Sequence, residues 1–260
     1  MSEIELLMLG TGTSAGVPLI GCHCPVCESD DPHDRRTRPS VLISYDGVRV
    51  LVDATPELRV QCIANRIDMI DAVVFTHAHA DHIMGLDVVR RFNAISKKPL
   101  DVWADAATHE ALERVFGYAF LPPGVGPKIF RPHLTRRMID GAFHIGTREW
   151  IPIPLLHGDF PVLGFRIGRL AYCTDVSRIP DESWALLRDL DVLVLDALRI
   201  RPHPSHFSLE QAVEAARRIG AGQTFFTHIT HDMAHAATNR SLDRGMALGF
   251  DGLRVSVAGE

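Results

Sequence analysis

Residues 75–85, "FTHAHADHIMG", place three histidines and an aspartate within six consecutive positions. His77 and His79 are two residues apart, so in an extended chain their side chains project to the same side. Asp81 and His82 are adjacent, at a predicted helix start, and point elsewhere. Imidazole and carboxylate groups suit zinc, manganese or iron, and the lack of cysteine argues against a closed structural site. The motif therefore predicts part of a site for two neighbouring metal ions.

Other apolar runs also end in a residue that can bind metal, in "IPLLHGD", "AYCTD", "LVLD" and "FFTHITH". Strand ends at one rim of a sheet bring distant segments together, so these residues are expected to converge with the histidine motif. The alternative is that the histidines of the motif are surface residues at a helix start. The matching partners and the tight spacing argue against this alternative. Asp53 and Asp196 follow apolar strands too, where they either orient metal-binding histidines or cap helices.

The elements that must position these residues alternate along the chain. Runs of strand length rich in Val, Ile and Phe recur, separated by predicted helices over 56–66, 82–92, 106–116 and 209–219. The last helix has Ser208 as N-cap, Gln211 completing a capping box and Gly220 as its stop. Mixed strands and helices without a linker predict one layered α/β domain over residues 1–260.

Composition restricts the function further. The 260 residues are 46% hydrophobic, enough for one substantial core, and the net charge is −5. This charge argues against nucleic acid and anionic membrane as partners. The opening "MSEIELLMLG" resembles a first strand more than a signal peptide, and no run reaches membrane-spanning length. We therefore expect a cytoplasmic protein.

The segment "GCHCPVCE" contains three of the five cysteines, Cys22, Cys24 and Cys27. In a reducing compartment this spacing favours a metal site over disulfides, with a redox role as the alternative. Cys62 and Cys173 are isolated and are expected to be small buried side chains. Three thiolates need a fourth ligand to close a zinc tetrahedron. From the residues alone, the candidates are His23, His33 and Cys62.

The run "THAHADH" matches the H-x-H-x-D-H signature of the metallo-β-lactamase superfamily. The resemblance implies an α/β fold, the αββα four-layer sandwich, with a dinuclear site along one sheet edge. It implies that one metal ion is bound by His77, His79 and His157. It implies that the other is bound by Asp81, His82 and His228, with Asp175 bridging the two ions.

The opening "LGTGTSAGVPLIGCHCPVCESD" resembles the PhnP-type phosphodiesterases, which act on 5-phosphoribosyl 1,2-cyclic phosphate. This resemblance implies a structural zinc loop near residues 21–28, completed by His231. It also aligns His206, in "PHPSHFSLEQA", with a histidine that reaches the active site. His203 is an alternative candidate in an equivalent position. The other interpretation is that His206 is a solvent-exposed loop residue. His206 and Asp81 are the predicted catalytic residues.

The predicted reaction is the opening of a small cyclic phosphodiester. Two divalent ions, manganese or zinc, would activate a bridging hydroxide, and His206 would protonate the leaving oxygen. A tRNase Z-like nuclease is an alternative that needs a basic surface. A thioesterase or lactamase would not explain the cysteine loop. A noncatalytic accessory protein would have lost ligands, whereas all seven positions are filled here.

Three segments keep two interpretations each. Residues 121–133 form either a flap over the site or an ordinary connection. The glycines of "GTGTSAG" lack the lysine of a phosphate-binding loop, so they favour a tight turn. Arg90 and Arg91 either meet a substrate phosphate or lie on a solvated helix face. The sequence does not set an oligomeric state, for which a homodimer agrees with base rates.

Overall fold

The computed structural model describes residues 3–122, 124–126 and 129–259. They form two seven-stranded sheets that pack face to face. Across the first sheet the strands are β14 (Arg254–Val257), β1 (Ile4–Gly10), β2 (Ser40–Tyr45), β3 (Val48–Val52), β4 (Ala72–Val74), β5 (Leu100–Ala104) and β6 (Leu134–Met138). Across the second sheet they are β13 (Met246–Leu248), β12 (Gln223–Thr227), β11 (Val192–Asp196), β10 (Leu170–Cys173), β9 (Phe160–Ile167), β8 (Arg148–His157) and β7 (Phe143–Ile145).

Central strands are buried on both faces, which explains their continuous apolar sequence. In β1, Leu6 and Met8 pack between the sheets, whereas Leu7 and Leu9 pack against the outer helices. Trp150 is a fully buried member of the layer between the sheets. The predicted αββα four-layer order is confirmed.

The helices cover the outer faces of both sheets. They are α1 (Leu58–Ala64), α2 (Ala80–Ile83), α3 (Arg90–Ser96), α4 (Ala106–Phe116), α5 (Leu209–Ile219) and α6 (His235–Asn239). The predicted bounds of α4 and α5 are confirmed, as are the Ser208–Gln211 capping box and the left-handed Gly220. Within the described ranges, no helix is both long and apolar enough to span a membrane.

The predicted single helix over 82–92 is wrong. A 3₁₀ turn at Leu86–Val89 interrupts it between α2 and α3. The cause is Gly85, whose N–H donates to the carbonyl oxygen of Ala54 at 2.8 Å. A Cβ at Gly85 would lie 1.9 Å from the carbonyl oxygen of Thr55. The backbone is therefore held against a neighbouring segment where a regular helix would need side-chain room.

The tight turn predicted in "GTGTSAG" lies at its end, where the N–H of Gly16 donates to the carbonyl oxygen of Thr13 at 2.8 Å. Gly10 and Gly12 instead allow close contact with a neighbouring segment. A Cβ on Gly10 would lie 2.0 Å from the carbonyl oxygen of Arg38, and one on Gly12 would lie 2.7 Å from that of Arg36. Two backbone segments thus touch here.

Residues 123, 127 and 128 of the segment 121–133, predicted as a flap or a connection, lie outside the described residues. In the described part, the buried Arg131 donates to the carbonyl oxygens of Tyr118, Leu121 and Pro122. One guanidinium therefore ties together the two ends of this segment.

Candidate metal centre

The parallel strands of both sheets bring their carboxyl ends to one rim. Strands β3 to β6 are parallel, as are β10 to β13. Strand β8 runs with β10 because both pair antiparallel with β9. The candidate residues at this rim are Asp53, His77, His157, Asp175, Asp196 and His228.

Three of these residues turn the chain sharply just after their strands. Asp53, Asp175 and His228 have φ angles of 63°, 57° and 62°, in the left-handed region. Residues other than glycine adopt this conformation at a cost of roughly 1–3 kcal/mol, and they cluster at functional sites. The side chains of Asp175 and His228 face each other, and that of Asp53 faces His82.

Asp175 occupies the centre of the cluster. Its Oδ1 lies 3.3 Å from Nε2 of His82, while its Oδ2 lies 3.4 Å from Nε2 of His228 and 3.8 Å from Nε2 of His77. One buried carboxylate therefore faces the histidines of both predicted metal sites.

Two sets of ligand atoms surround this carboxylate. His77, His79 and Asp175 offer atoms within 4.8 Å of one another, as do Asp81, His82 and His228. His157 groups with Asp175 and His206, and its ring lies 5.0 Å from that of His79. All seven predicted ligands are thus brought together, and His79 is the exposed one.

The spacing in the second set suits a metal ion. Oδ2 of Asp81 lies 3.4 Å from Nε2 of His82 and 3.5 Å from Nε2 of His228. Two ligands held tetrahedrally at about 2.0–2.1 Å from zinc would be about 3.4 Å apart. Nε2 of His77, His82 and His228 are buried without a hydrogen-bond partner among the described residues. The lone pairs of these nitrogens face carboxylate oxygens. This arrangement fits a divalent cation bound between the rings and the carboxylates.

The charges of the cluster agree with this geometry. Burial raises the pKa of Asp175, but His228 and His82 outweigh burial and hold that pKa well below its usual range. Burial opposes charge on His228, yet Asp175 and Asp81 raise its pKa to about 9. The two carboxylates thus draw positive charge onto the nearby imidazoles. A divalent cation would supply this charge and leave the rings neutral, as metal ligands must be.

Asp53, fully buried, orients two of the histidines. Its Oδ2 is 2.8 Å from Nδ1 of His82 and also accepts from Oγ1 of Thr76 at 2.8 Å. Thr76 in turn accepts from Nδ1 of His77 at 2.9 Å. This network keeps Nε2 of both rings directed at the cluster. The sequence analysis missed Thr76, although its position between strand and motif was a signal.

His206 is buried beside the cluster. Its Nδ1 lies 2.7 Å from Oδ2 of Asp196, which also accepts the N–H of Val176. Its ring lies 4.4 Å from that of His157 and 4.6 Å from that of His228. Asp53 and Asp196 therefore hold histidines and do not cap helices. The loop that carries His206 also orients His157, whose Nδ1 donates to the carbonyl oxygen of Ser205 at 2.6 Å. The sequence analysis did not predict this contact.

The cysteine loop near residues 21–28 contacts His231, in the turn that follows β12. Nδ1 of His231 lies 3.2 Å from Sγ of Cys22 and 3.4 Å from Sγ of both Cys24 and Cys27. A zinc tetrahedron with about 2.3 Å to sulfur and 2.1 Å to nitrogen has S···N edges of about 3.6 Å. The N–H of Cys27, which donates to Cys24 at 3.4 Å, lowers the pKa of Cys24 to about 6 and so favours the thiolate.

The rival ligands from the sequence analysis lie elsewhere. His23 is exposed and pairs with Glu28, whereas His33 packs on His235 and Phe250. As predicted, Cys62 and Cys173 are buried. Arg90 pairs with Asp87 and lies over the ring of Phe130, and Arg91 is exposed.

Comparison with known proteins agrees with this centre. Residues 48–229 match the family model described as "Beta-lactamase superfamily domain", so the chain belongs to the metallo-β-lactamase superfamily. Its structure superposes with a TM-score of 0.92 on a diphosphatase of the PhnP family, 44% identical, over 98% of this chain and 97% of that one. The resemblance to this family, deduced from the sequence, is confirmed. These matches, together with the ribonuclease Z relative described next, favour a metal-dependent phosphodiesterase.

Three relatives are also similar over 98% of the chain. One, 36% identical, is a Porphyromonas gingivalis protein named octanoyltransferase, and the chain spans about half (52%) of its length. Another, 26% identical, is coenzyme PQQ synthesis protein B of Rhodopseudomonas palustris, matched over 100% of its length. The third, also 26% identical, is ribonuclease Z of Mycolicibacterium gilvum, matched over 96% of its length.

Proposed function

We propose that the chain hydrolyses a small cyclic phosphodiester, with 5-phosphoribosyl 1,2-cyclic phosphate as the substrate. The observation that carries this proposal is the position of His206 against both His157 and His228. A histidine held by Asp196 at the rim of a two-metal cluster suits the release of a sugar oxygen.

In this proposal His77, His79 and His157 bind one ion, and Asp81, His82 and His228 bind the other. Asp175 faces both sets and would be the ligand shared by the two ions. Histidine and carboxylate ligands suit zinc or manganese, and availability decides between the two. When bound, the ions lower the pKa of water and neutralise phosphoryl charge.

The residues of the chain direct the remaining steps. Water adds to phosphorus, one P–O bond to the sugar breaks, and the ring opens to a monoester. The departing sugar oxygen needs a proton. Because Nδ1 of His206 is engaged with Asp196, Nε2 is the nitrogen left to give this proton.

A second candidate is hydrolysis of a diphosphate, since the 44%-identical relative is a diphosphatase. The same groups would serve, with a phosphate as leaving group. The ribonuclease Z relative points to RNA-derived diesters, but the net charge of −5 supplies little attraction for RNA. A noncatalytic accessory role is disfavoured because all seven proposed ligands are present and meet.

Phosphorus NMR tests the substrate. Manganese-loaded protein is incubated separately with 5-phosphoribosyl 1,2-cyclic phosphate, a nucleoside diphosphate sugar and a 2′,3′-cyclic nucleotide. We expect rapid, metal-dependent opening of the ribosyl cyclic phosphate and slow reaction of the others. Cleavage of the diphosphate alone would establish the second candidate instead, and cleavage of the nucleotide alone would point to RNA-derived diesters.

Replacing Asp53 by asparagine tests the orienting network. Asparagine keeps the shape but loses the charge that holds His82 and Thr76. We expect kcat to fall about 10- to 100-fold, with weaker metal binding. Steady-state kinetics and metal titration measure this change. Asp68→Asn, at an exposed carboxylate paired with Arg49, is the matched control, and equal activity in the two variants would contradict the role.

We also propose that Cys22, Cys24, Cys27 and His231 bind a structural zinc. Their four ligand atoms lie within 4.8 Å of one another. His228 and His231 are three residues apart, so the zinc would also steady the segment that presents His228 to the catalytic cluster.

Replacing Cys24 with serine should remove this zinc. Losing several kcal/mol of coupled binding free energy would lower Tm by about 10 °C, at roughly 2–4 °C per kcal/mol. Elemental analysis and thermal unfolding measure both effects. In cobalt-substituted protein the thiolate-to-metal absorption should also disappear. Cys62→Ala, at a buried cysteine outside the loop, should keep the zinc, and an unchanged zinc content in Cys24→Ser would refute the assignment.

A further inference from the structure

One buried histidine of the candidate centre, His228, differs from the others in how its ring is held. The other buried histidine ligands, His77, His82 and His157, each have a hydrogen-bond partner at Nδ1. Nδ1 of His228 is buried without a partner among the described residues. A metal-binding histidine is normally oriented through that second ring nitrogen. The direction of the His228 ring therefore depends on the backbone that carries it and on the rings beside it.

The backbone at His228 is held by the loop that follows β1. His228 has a φ angle of 62°, a conformation that persists only where the surrounding structure fixes it. The next residue, Ile229, donates its N–H to the carbonyl oxygen of Thr11 at 2.9 Å. The carbonyl oxygen of Ile229 accepts the N–H of Thr13 at 3.1 Å. The position of this loop thus decides where the strained turn presents its ring.

Asp251 fastens this loop through four hydrogen bonds. Its Oδ1 accepts the N–H of Thr11 at 2.9 Å and the hydroxyl of Thr11 at 2.8 Å. Its Oδ2 accepts the N–H and the hydroxyl of Thr37, at 2.8 and 2.6 Å. Thr37 in turn accepts the N–H of Gly12 at 2.8 Å, so both oxygens act on the same loop. Burial raises the pKa of Asp251 to about 6, and above that pH it is the carboxylate that can accept all four bonds.

These hydrogen bonds join the two sheets beside the second ligand set. Asp251 lies on the connection between β13 and β14, where the chain passes from the second sheet to the first. Asp81 and His82 follow β4 of the first sheet, whereas His228 follows β12 of the second. The ion of this set would therefore be bound between groups from both sheets. Its geometry depends on how the turn after β12 is fastened to the loop after β1.

The first ligand set is fastened by a different contact. The N–H of Leu163, in β9 of the second sheet, donates to the carbonyl oxygen of Thr76 at 3.0 Å. Thr76 directly precedes the ligand His77 in the first sheet. This bond joins the sheets beside the first set and does not involve Asp251. A change at Asp251 should therefore act on the second ion and spare the first.

We propose that Asp251 is a positioning residue for the ion of the second ligand set, acting through Thr11 and Ile229 rather than by direct contact. The inference rests on the ligand sets of the proposed function but not on its substrate. It also gives the loop "GTGTSAG" a role, because this loop connects a carboxylate on one side of the molecule to a metal ligand on the other.

A manganese titration followed by electron paramagnetic resonance tests this inference without relying on catalysis. His228→Ala identifies the affinity of the second ion, and His79→Ala identifies that of the first. Asp251→Asn keeps the shape of the side chain but presents an N–H₂ group to one pair of threonine donors. We expect it to weaken the second ion about 10- to 100-fold and the first ion less than about threefold.

Two further variants separate positioning from a general loss of stability. Asp105→Ala removes the N-cap of α4, which accepts the N–H of Thr108 at 2.8 Å. This variant should lower Tm and leave both manganese affinities unchanged. Thr11→Val removes one of the four hydrogen bonds and should weaken the second ion about threefold to tenfold. It provides the same comparison if Asp251→Asn does not fold.

The double variant of Asp251→Asn and His228→Ala completes the test. Its remaining ion should bind as in His228→Ala alone, because the interaction that Asp251 supports is already lost. Equal weakening of both ions by Asp251→Asn, or no weakening of either, would overturn the inference. If His228→Ala itself changes neither affinity, the ligand assignment of the proposed function fails and the inference fails with it. If His228→Ala weakens one ion while Asp251→Asn does not, only the positioning role fails.

Discussion

Replacing Asp175 with asparagine will lower kcat by about a thousandfold. The carboxylate lies 3.3–3.4 Å from Nε2 of both His82 and His228 and faces His77 as well. Asparagine removes its negative charge and directs an N–H₂ group toward the cations. Paired metal ions contribute several kcal/mol to catalysis, and each 1.36 kcal/mol is a tenfold change in rate.

The substitution is also designed to preserve the fold. Asp175 has a φ angle of 57°, and asparagine is among the residues that tolerate this region best. Elemental analysis should show fewer than two active-site ions per chain, while circular dichroism stays unchanged. Asp243→Asn, at an exposed carboxylate paired with Arg217, is the control. Activity within tenfold of the wild type, with both ions retained, would exclude a bridging role.

The sequence predicted that the candidate residues converge because they stand at strand ends. Parallel strands bring these ends to one rim whatever the details of the packing, so His157, Asp175 and His228 were expected there, whereas their roles as ligands came from the family resemblance. Their apolar strands, buried on both faces, were equally visible.

What the sequence did not predict depends on contacts between distant segments. Strand β6, "LTRRM", has three exposed residues and lacks an apolar run. The break in the helix at Gly85 depends on the backbone at Ala54 and Thr55, some thirty positions earlier. Likewise, Asp53 and Asp196 could either cap helices or orient histidines. They orient histidines because an imidazole ring from another segment lies within hydrogen-bond distance of each carboxylate. Local patterns carry no information about such distances.

Replacing His206 with glutamine will lower kcat for the cyclic sugar phosphate by about a hundredfold. General acid catalysis contributes roughly 10²–10⁴-fold when the leaving group is a poor one, and a sugar alkoxide is poor. Bis(4-nitrophenyl) phosphate releases a nitrophenolate that needs no proton, so its hydrolysis should fall much less. Steady-state kinetics on both substrates, with metal content measured in parallel, makes the comparison.

The ratio of the two losses separates a proton donor from the other roles open to His206. Its ring lies close to His157 and His228, so it could instead act as a metal ligand or hold a phosphoryl oxygen. A metal ligand would lose an ion on substitution, and a phosphoryl contact would affect both substrates equally. His144→Gln, at an exposed histidine in β7, controls for the loss of an imidazole. Equal losses on the two substrates would therefore remove His206 as the acid, because only proton donation depends on the leaving group.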